Sequence, residues 1–242
     1  MVKYLKKISK HPRMYKSESG RKAILIGATG ATGRQLMKLL LSNDNWESII
    51  SIGRKPALDG KSHNKLQDIT IDSFDSIDST RALWEGNDVF FNCIGTTRKR
   101  AGSAKAFINI ERGISMKAAK LALSANIPHA SLISAAGANP KQWSVDWFQP
   151  LLYMKTIGEK EQTILKHNKF MRTSIFKPGM LIRDSNQESW SAKIKESSNL
   201  GLRVNTLAKA MLRDAESSRI VNDVELPVLY VGNSCIKNSI VI

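Results

Sequence analysis

Three glycines spaced three residues apart, Gly27, Gly30 and Gly33, are the part of the sequence best suited to holding a ligand. Glycine has no Cβ atom, so such a turn can adopt positive φ angles and bring its backbone close to a pyrophosphate. Thr29 and Thr32 stand between the glycines and add hydroxyl groups. Three glycines also occur in ordinary loops, so the elements on either side decide whether the turn is a phosphate site.

The flanking sequence predicts a strand before the turn and a helix after it. Residues 23–26 are apolar and rich in β-branched side chains, as in a strand buried on both faces of a parallel sheet. Residues 34–41 carry leucines on one helical face. The start of that helix would offer free N–H groups and a partial positive charge to a phosphate. A strand, a glycine turn and a helix in this order indicate a dinucleotide-binding site.

The residues after the predicted second strand, 46–52, bear on which dinucleotide is bound. About twenty residues beyond the last glycine, an NAD site usually places a carboxylate on the ribose 2′-OH, whereas a basic residue accommodates the 2′-phosphate of NADP. Arg54 lies there, with Lys55 beside it. Arg54 therefore favours NADP, and the alternative is a solvated loop cation. Asp72, after the predicted third strand, either faces the adenine rim or solvates a loop.

Strand and helix signals alternate through the rest of the chain. Further strands are predicted at 69–71, 89–94, 130–133 and 173–176, and helices at 103–125 and 152–167. This alternation predicts an α/β, Rossmann-like doubly wound fold with a mostly parallel sheet of six or seven strands in the order 3-2-1-4-5-6. Ligands bind at the carboxyl ends of the strands in such sheets, where Gly95 and Thr96 fall. The alternative for this pair is a plain turn that ends the strand.

The chain's 242 residues suit one domain with a substantial core. We divide it into a basic N-terminal arm, residues 1–21, and a single NAD(P)-binding domain, residues 22–242. Beyond residue 183 the periodic pattern weakens. Residues 184–242 are therefore expected to form a small, reduced substrate-side segment, in which 204–213 is helical and 226–231 is a final strand.

The net charge of +16 is unevenly distributed along the chain. Residues 1–22 contain eight Lys or Arg and one acid, Glu18. This arm is either a solvated extension or a mitochondrial targeting or surface-binding segment, because such segments are basic and poor in acids. A second basic cluster, Arg98 to Arg100, has no interleaved aromatic residue, and no nucleic-acid-binding motif appears. Specific nucleic-acid binding is therefore not expected.

Cysteine content and hydropathy exclude further classes of protein. Cys93 and Cys235 are the two cysteines, which provide neither a disulfide framework nor metal-ligand spacing. No apolar run approaches the length of a membrane-spanning helix. Membrane association is expected to be peripheral, through the basic arm, and the expected location is cytoplasmic or mitochondrial rather than secreted.

Six motifs together resemble the atypical short-chain dehydrogenase/reductase family, and within it the Tat-interacting oxidoreductase-like proteins and their fungal mitochondrial relatives. The motifs are GATGATG, GRK, FFNCIGTTRKRAG, SLISAAGANP, YMKTIGEKE and FKPGM. The resemblance covers roughly residues 23–183 and implies a Rossmann core that binds NADPH. It places Thr29, Gly30, Ala31 and Thr32 on the phosphates, Arg54 and Lys55 on the 2′-phosphate, Ile94 and Gly95 along the cofactor, and Leu181 near the nicotinamide.

The resemblance also implies hydride transfer between the nicotinamide and a carbonyl or alcohol. Tyr153 fits the general acid and Ser134 the residue that holds the substrate oxygen; the alternatives are a helix-packing aromatic and a hydrogen-bonding residue at a strand end. The family's lysine, four residues after the tyrosine, is replaced by Ile157. Lys155 points away, and Lys160 shares the helical face roughly 10 Å along the axis. Lys177 is a remote candidate.

That replacement leaves two functional hypotheses. The first is an NADP-dependent oxidoreductase of weakened or altered mechanism. The second is an NADPH-binding protein retained for partner binding, redox sensing or assembly. The sequence names no substrate for the first and no protein partner for the second.

Overall fold

The computed structural model describes residues 20–145, 147–167, 169–183, 201–217 and 227–241. Its strands are β1 (Arg21–Ile26), β2 (Trp46–Gly53), β3 (Leu66–Thr70), β4 (Val89–Asn92), β5 (His129–Ile133), β6 (Arg172–Lys177), β7 (Met180–Ile182), β8 (Gly201–Arg203) and β9 (Val228–Val231). In the described residues, a parallel sheet of seven strands runs in the order β3-β2-β1-β4-β5-β6-β9. The predicted α/β class and strand order are confirmed, with β9 added beside β6.

Helices cover both faces of this sheet. They are α1 (Ala31–Leu41), α2 (Arg98–Ala101), α3 (Ala104–Ile108), α4 (Ser115–Ser124), α5 (Gln149–His167), α6 (Val204–Ser217) and α7 (Asn233–Asn238), with 3-10 turns at Ala57–Gly60 and Phe74–Trp84. Successive β1 side chains point to opposite faces, so Ala23 and Leu25 pack with α1 and α6, whereas Ile24 and Ile26 pack with α4 and α5. Strand β1 is apolar on both faces because helices cover the sheet on both sides.

The helix predicted at 103–125 is interrupted by a π turn. Regular helix α3 passes into the π turn Asn109–Ile114 before α4 begins at Ser115. Such turns insert an extra residue and re-aim side chains, and they occur often at functional sites. This turn carries Glu111, which is 2% exposed although it is charged.

The C-terminal residues differ from the expected substrate-side segment. Strand β9 lies in the central sheet and α6 packs against α1, so these two elements complete the main core. Strand β8 pairs with β7 in a separate two-stranded sheet, and neither of these two strands was among those predicted. Residues 184–200 lie outside the described residues.

The domain begins one residue earlier than expected at its N-terminus. Arg21 is the first residue of β1, and its guanidinium donates hydrogen bonds to the backbone carbonyls of Ala215 and Glu216, the latter at 2.8 Å. Arg21 therefore belongs to the folded domain. The predictions for the rest of the arm concern residues 1–19, which lie outside the described residues.

A buried carboxylate, Asp214 of α6, joins three strands at the amino end of the sheet. One of its oxygens accepts hydrogen bonds from Arg172 Nη2 at 2.7 Å and from the Tyr230 hydroxyl at 2.8 Å. His129 Nε2 lies 3.5 Å from the other oxygen. Burial alone would raise the pKa of Asp214, but hydrogen bonds and charge from His129, Ser174 and Arg172 outweigh burial and lower it.

We predict that Asp214→Asn destabilises the fold by about 3–5 kcal/mol at pH 7, because it replaces the buried carboxylate that accepts hydrogen bonds from Arg172 and Tyr230. Urea denaturation measures the loss. The matched control, Asp78→Asn, removes an exposed partner of Arg81 and should cost less than about 1 kcal/mol. The pKa of Asp214 is lower in the folded than in the unfolded protein, so its carboxylate stabilises the fold at pH values above the unfolded-state pKa. The stability difference between wild type and Asp214→Asn should therefore shrink below about pH 4. Equal stability of the two variants would contradict the assignment.

Candidate functional site

A cavity of about 640 Å³ opens at the carboxyl ends of β1, β4, β5 and β6. Its walls come from the glycine turn, the segment after β4, the end of β5, helix α5 and the residues after β6. Predicted site residues among its lining are Thr29, Gly30, Ala31, Thr32, Ile94, Gly95, Thr96, Ser134, Tyr153 and Leu181. The structure thus brings the predicted phosphate-binding and catalytic residues to one cavity.

The other two motif glycines lie behind the cavity wall, where they allow close packing. Gly27 has φ +85°, and a Cβ there would lie 2.6 Å from the Cys93 carbonyl oxygen. A Cβ on Gly33 would lie 2.1 Å from the Gly27 carbonyl oxygen, so a side chain is excluded where α1 meets the turn. Gly27 and Gly33 therefore shape the site without lining it.

The start of α1 is suited to a phosphate group. Gly30 is its N-cap residue and provides no side-chain cap, and the first turn contains no acidic residue. The N–H groups at this end face the cavity side of the turn, with the partial positive charge of the helix behind them. A dinucleotide pyrophosphate fits this set of donors.

Arg54, Lys55 and Asp72 lie outside the cavity lining. Arg54 and Lys55 follow β2 directly and are exposed, and Asp72 is exposed two residues beyond β3. Strands β2 and β3 are parallel to β1, so all three residues lie on the same edge of the sheet as the glycine turn. Their assignment to the 2′-phosphate and the adenine rim stays a prediction.

Helix α5 presents four residues to the cavity: Tyr153, Met154, Ile157 and Lys160. Ile157 is 2% exposed and apolar, so the position of the family lysine holds no charge. The Tyr153 ring stacks on Phe107 with ring centroids 6.0 Å apart. Burial, and then the negative charge of Glu111, raise the pKa of Tyr153 to about 12. The phenol therefore stays protonated throughout the physiological range.

Lys160 forms a buried ion pair that the sequence analysis did not anticipate. Its ammonium lies 3.4 Å from Glu111 Oε2 and donates to the Ile94 carbonyl oxygen at 3.3 Å. The other oxygen, Oε1, accepts from the Thr96 backbone N–H at 2.6 Å. Lys160 and Glu111 are 3% and 2% exposed. The cation on this face of α5 is thus engaged by Glu111 and the segment after β4.

A second network holds Ser134. Its hydroxyl donates to Glu161, whose other oxygen accepts from Lys177 Nζ at 2.7 Å. Lys177 is therefore an ion-pair partner of Glu161, and it is absent from the cavity lining together with Lys155. Because the Ser134 proton is used by Glu161, its oxygen faces the cavity as a hydrogen-bond acceptor. To donate to a substrate carbonyl, Ser134 must first release Glu161.

The sequence contains only ambiguous signals for the site residues that it did not predict, Lys160, Glu111 and Glu161. Lys160 is seven residues after Tyr153, a spacing that returns to the same helical face. Glu111 is an acid beside Ile110 in a stretch with helical periodicity, but its inward orientation depends on the π turn. No periodicity rule pairs Ser134 with Glu161, since they lie on different elements.

A buried cysteine, Cys93, also lines the cavity. Burial raises the pKa of the Cys93 thiol to about 12, with a smaller opposing effect of Lys160. The thiol is neutral at physiological pH. Across the described residues, no group of three or more His, Cys, Asp or Glu side chains is arranged to bind a metal, and no helix is long and apolar enough to cross a membrane.

Comparison with known proteins identifies the family. A family model described as NAD(P)H-binding matches residues 27–216. Protein HTATIP2 of Rattus norvegicus is 34% identical over 170 residues, which cover 70% of this chain and 66% of that protein. Protein FMP52, mitochondrial, of Candida albicans is 36% identical over 163 residues, 65% of this chain and 66% of that protein. The match thus spans just under two thirds of the length of these relatives.

Solved structures agree on the fold. The oxidoreductase ylbE from Lactococcus lactis superimposes with a TM-score of 0.65 at 16% identity, covering 90% of this chain and 94% of that one. The Bordetella bronchiseptica enzyme WbmH in complex with NAD+ gives a TM-score of 0.63 at 15% identity, covering 89% and 76%. From the family model and these relatives, the chain belongs to the NAD(P)H-binding family and is related to HTATIP2 and FMP52.

Proposed function

We propose that this protein is an NADP(H)-dependent oxidoreductase that reduces a carbonyl compound slowly. The observation that carries the proposal is the single cavity that joins the glycine turn to Tyr153 and Ser134. A dinucleotide whose pyrophosphate lies at the start of α1 would extend past Ile94 and Gly95 towards Leu181. The cofactor supplies the hydride, and the protein orients the substrate and handles the proton.

The choice of NADP over NAD rests on charge. Arg54 and Lys55 follow β2 where an NAD site usually has a carboxylate, and both side chains are exposed and available to a 2′-phosphate. A guanidinium can bind a phosphate through two charge-assisted hydrogen bonds.

The Tyr153 phenol is in the protonation state that carbonyl reduction requires. With a pKa of about 12 the phenol is protonated at pH 7, so it can give a proton to a developing alkoxide. In the reverse direction it would have to act as phenolate, which burial and Glu111 disfavour. Ile157 offers no cation to offset them. At pH 7 Tyr153 is therefore in the protonation state that reduction requires, and the weakness of this acid makes reduction slow.

The second candidate is a cofactor-binding protein without significant turnover, which acts by partner binding, redox sensing or assembly. Two observations favour it: Ile157 in the lysine position, and the Ser134 hydroxyl held by Glu161. Both leave the cofactor turn intact while weakening the acid–base residues. The two candidates differ in turnover, not in cofactor binding.

The proposed location is mitochondrial or cytoplasmic, with peripheral membrane contact. The name of the fungal relative FMP52 includes "mitochondrial". The basic N-terminal arm is consistent with targeting or with binding to an anionic surface, because basic residues near such a surface each contribute about 1 kcal/mol.

The first functional prediction concerns cofactor choice. Arg54→Ala should weaken NADPH binding about ten- to a hundredfold and leave NADH binding nearly unchanged, because a charge-assisted contact is worth about 1.5–3 kcal/mol. Isothermal titration calorimetry measures both dissociation constants. Arg81→Ala, which removes another exposed arginine, is the matched control and should change neither constant. Equal losses for both cofactors would exclude Arg54 from the 2′-phosphate site.

The second functional prediction concerns Ile157, which occupies the position of the family's lysine. Ile157→Lys places a cation one turn from Tyr153 and should lower the phenol pKa, which raises NADPH-dependent carbonyl reduction at pH 8 about ten- to a hundredfold. Ile157→Met, of similar length but uncharged, should not. NADPH oxidation against a panel of carbonyl compounds, with thermal melts to confirm folding, provides the measurement.

The pH profile gives the sign of this effect. Wild-type reduction should be nearly constant from pH 6 to 10, because a phenol with a pKa of about 12 stays protonated across that range. The rate of Ile157→Lys should instead fall towards pH 10 as its phenol loses the proton. Tyr153→Phe should abolish turnover in both backgrounds. If NADPH binds but neither protein turns over, the second candidate is the correct one.

A further inference from the structure

We infer that an aromatic and basic surface at the rim of the cavity docks onto an anionic lipid bilayer. This docking surface consists of Trp143, Trp147 and Phe148, before α5, and the basic helix α2 with Lys105 beyond it. It is separate from the N-terminal arm and does not depend on catalytic turnover.

Three large aromatic side chains are exposed within six residues of chain. Trp143 is 69% exposed, Trp147 76% and Phe148 43%. The other tryptophans in the described part of the chain, Trp46 and Trp84, are fully buried. Tryptophan is enriched at membrane–water interfaces, where its ring meets the acyl boundary and its N–H meets the headgroups. An aromatic cluster of this kind on the surface indicates an interaction site.

Fold topology brings the basic cluster to these aromatics. Arg98 Nη1 donates to the Trp147 carbonyl oxygen at 3.4 Å, which joins α2 to the loop before α5. Lys99, Arg100 and Lys105 are exposed beside it. The aromatic residues lie about 45 positions after the basic cluster in the sequence. The basic cluster has no aromatic residue among its sequence neighbours, but the fold places aromatic residues beside it.

The surface has the charge that an anionic partner requires. Residues 89–110 contain no Asp or Glu, and the next acid, Glu111, is buried against Lys160. In the aromatic loop, Lys141 is exposed, and the acid Asp146 lies outside the described residues. Each basic residue near an anionic leaflet strengthens attachment about fivefold.

Aromatic geometry favours a bilayer over single-stranded nucleic acid. Nucleic-acid platforms stack successive bases on free aromatic faces. Here the rings of Trp147 and Phe148 meet edge to face, with centroids 6.0 Å apart and planes at 60°. Such a pair forms an apolar wedge, which an interface of headgroups and acyl chains can accept. Arg100 also lines the cavity, so docking would place the cavity entrance at the bilayer.

The test is vesicle flotation with the full chain. Vesicles of phosphatidylcholine alone are compared with vesicles containing about 30% phosphatidylserine, at about 0.1 and 0.5 M salt. Wild type should float with the anionic vesicles and detach at high salt. The variant Trp143→Ser/Trp147→Ser should partition at least tenfold less, and Lys99→Gln/Lys105→Gln should lose a similar factor on anionic vesicles only.

Matched controls distinguish vesicle binding by this docking surface from nonspecific adsorption and from binding by the N-terminal arm. Leu229→Ser, which removes another exposed apolar side chain, and Lys61→Gln, which removes another exposed cation, should float as wild type does. If the double tryptophan variant also floats as wild type does, the proposal is overturned and the arm alone accounts for attachment. Tighter, tryptophan-dependent binding to an oligodeoxythymidine than to vesicles would overturn it in favour of nucleic acid.

Discussion

The site depends on the close approach of α1 to the turn that follows β1. A Cβ at position 33 would lie 2.1 Å from the Gly27 carbonyl oxygen, so the helix can start this close only with glycine there. Close packing aims the uncapped helix terminus into the cavity, and the positive φ at Gly27 lets the chain pass beneath the Cys93 carbonyl. The phosphate-binding geometry is thus set by sterics before any charge is considered, which is why cofactor binding can persist when the catalytic residues have changed.

Electrostatics of the cavity wall follow from a second constraint, the buried carboxylate Glu111. It lies on the π turn and needs partners, since a buried charge without them is costly. Lys160 and the Thr96 N–H supply them. The lysine on this face therefore offsets Glu111 rather than the phenol, and the pKa of Tyr153 rises. Ile157 supplies no cation to lower the pKa of Tyr153, and the Lys160 cation is engaged by Glu111, so both features leave that pKa raised.

The fold was predictable because its signals are local. A short β-branched strand, a glycine turn and a helix recur along the chain, and the handedness of strand–helix–strand units fixes the order of the strands. The cavity lining was predictable for the same reason, since parallel strands bring their carboxyl ends together. The π turn, the Ser134–Glu161–Lys177 network and the proximity of α2 to Trp147 were not. The network and the contact of α2 with Trp147 join elements far apart in sequence, for which a single chain gives no periodic signal. The π turn falls inside a stretch whose periodicity predicts one continuous helix.

The Glu111–Lys160 pair also positions the backbone of this wall. Exchanging a buried ion pair for apolar side chains of similar size often leaves stability unchanged or raises it, so the pair is a poor source of stability. What it fixes is the segment after β4: Lys160 holds the Ile94 carbonyl and Glu111 holds the Thr96 N–H. Those backbone groups flank Gly95, along the path proposed for the cofactor. A pair of apolar side chains would leave both backbone groups without these partners, so this segment could move against the cofactor. The buried charges therefore order the cofactor side of the cavity, and the raised pKa of Tyr153 is the electrostatic consequence of that ordering.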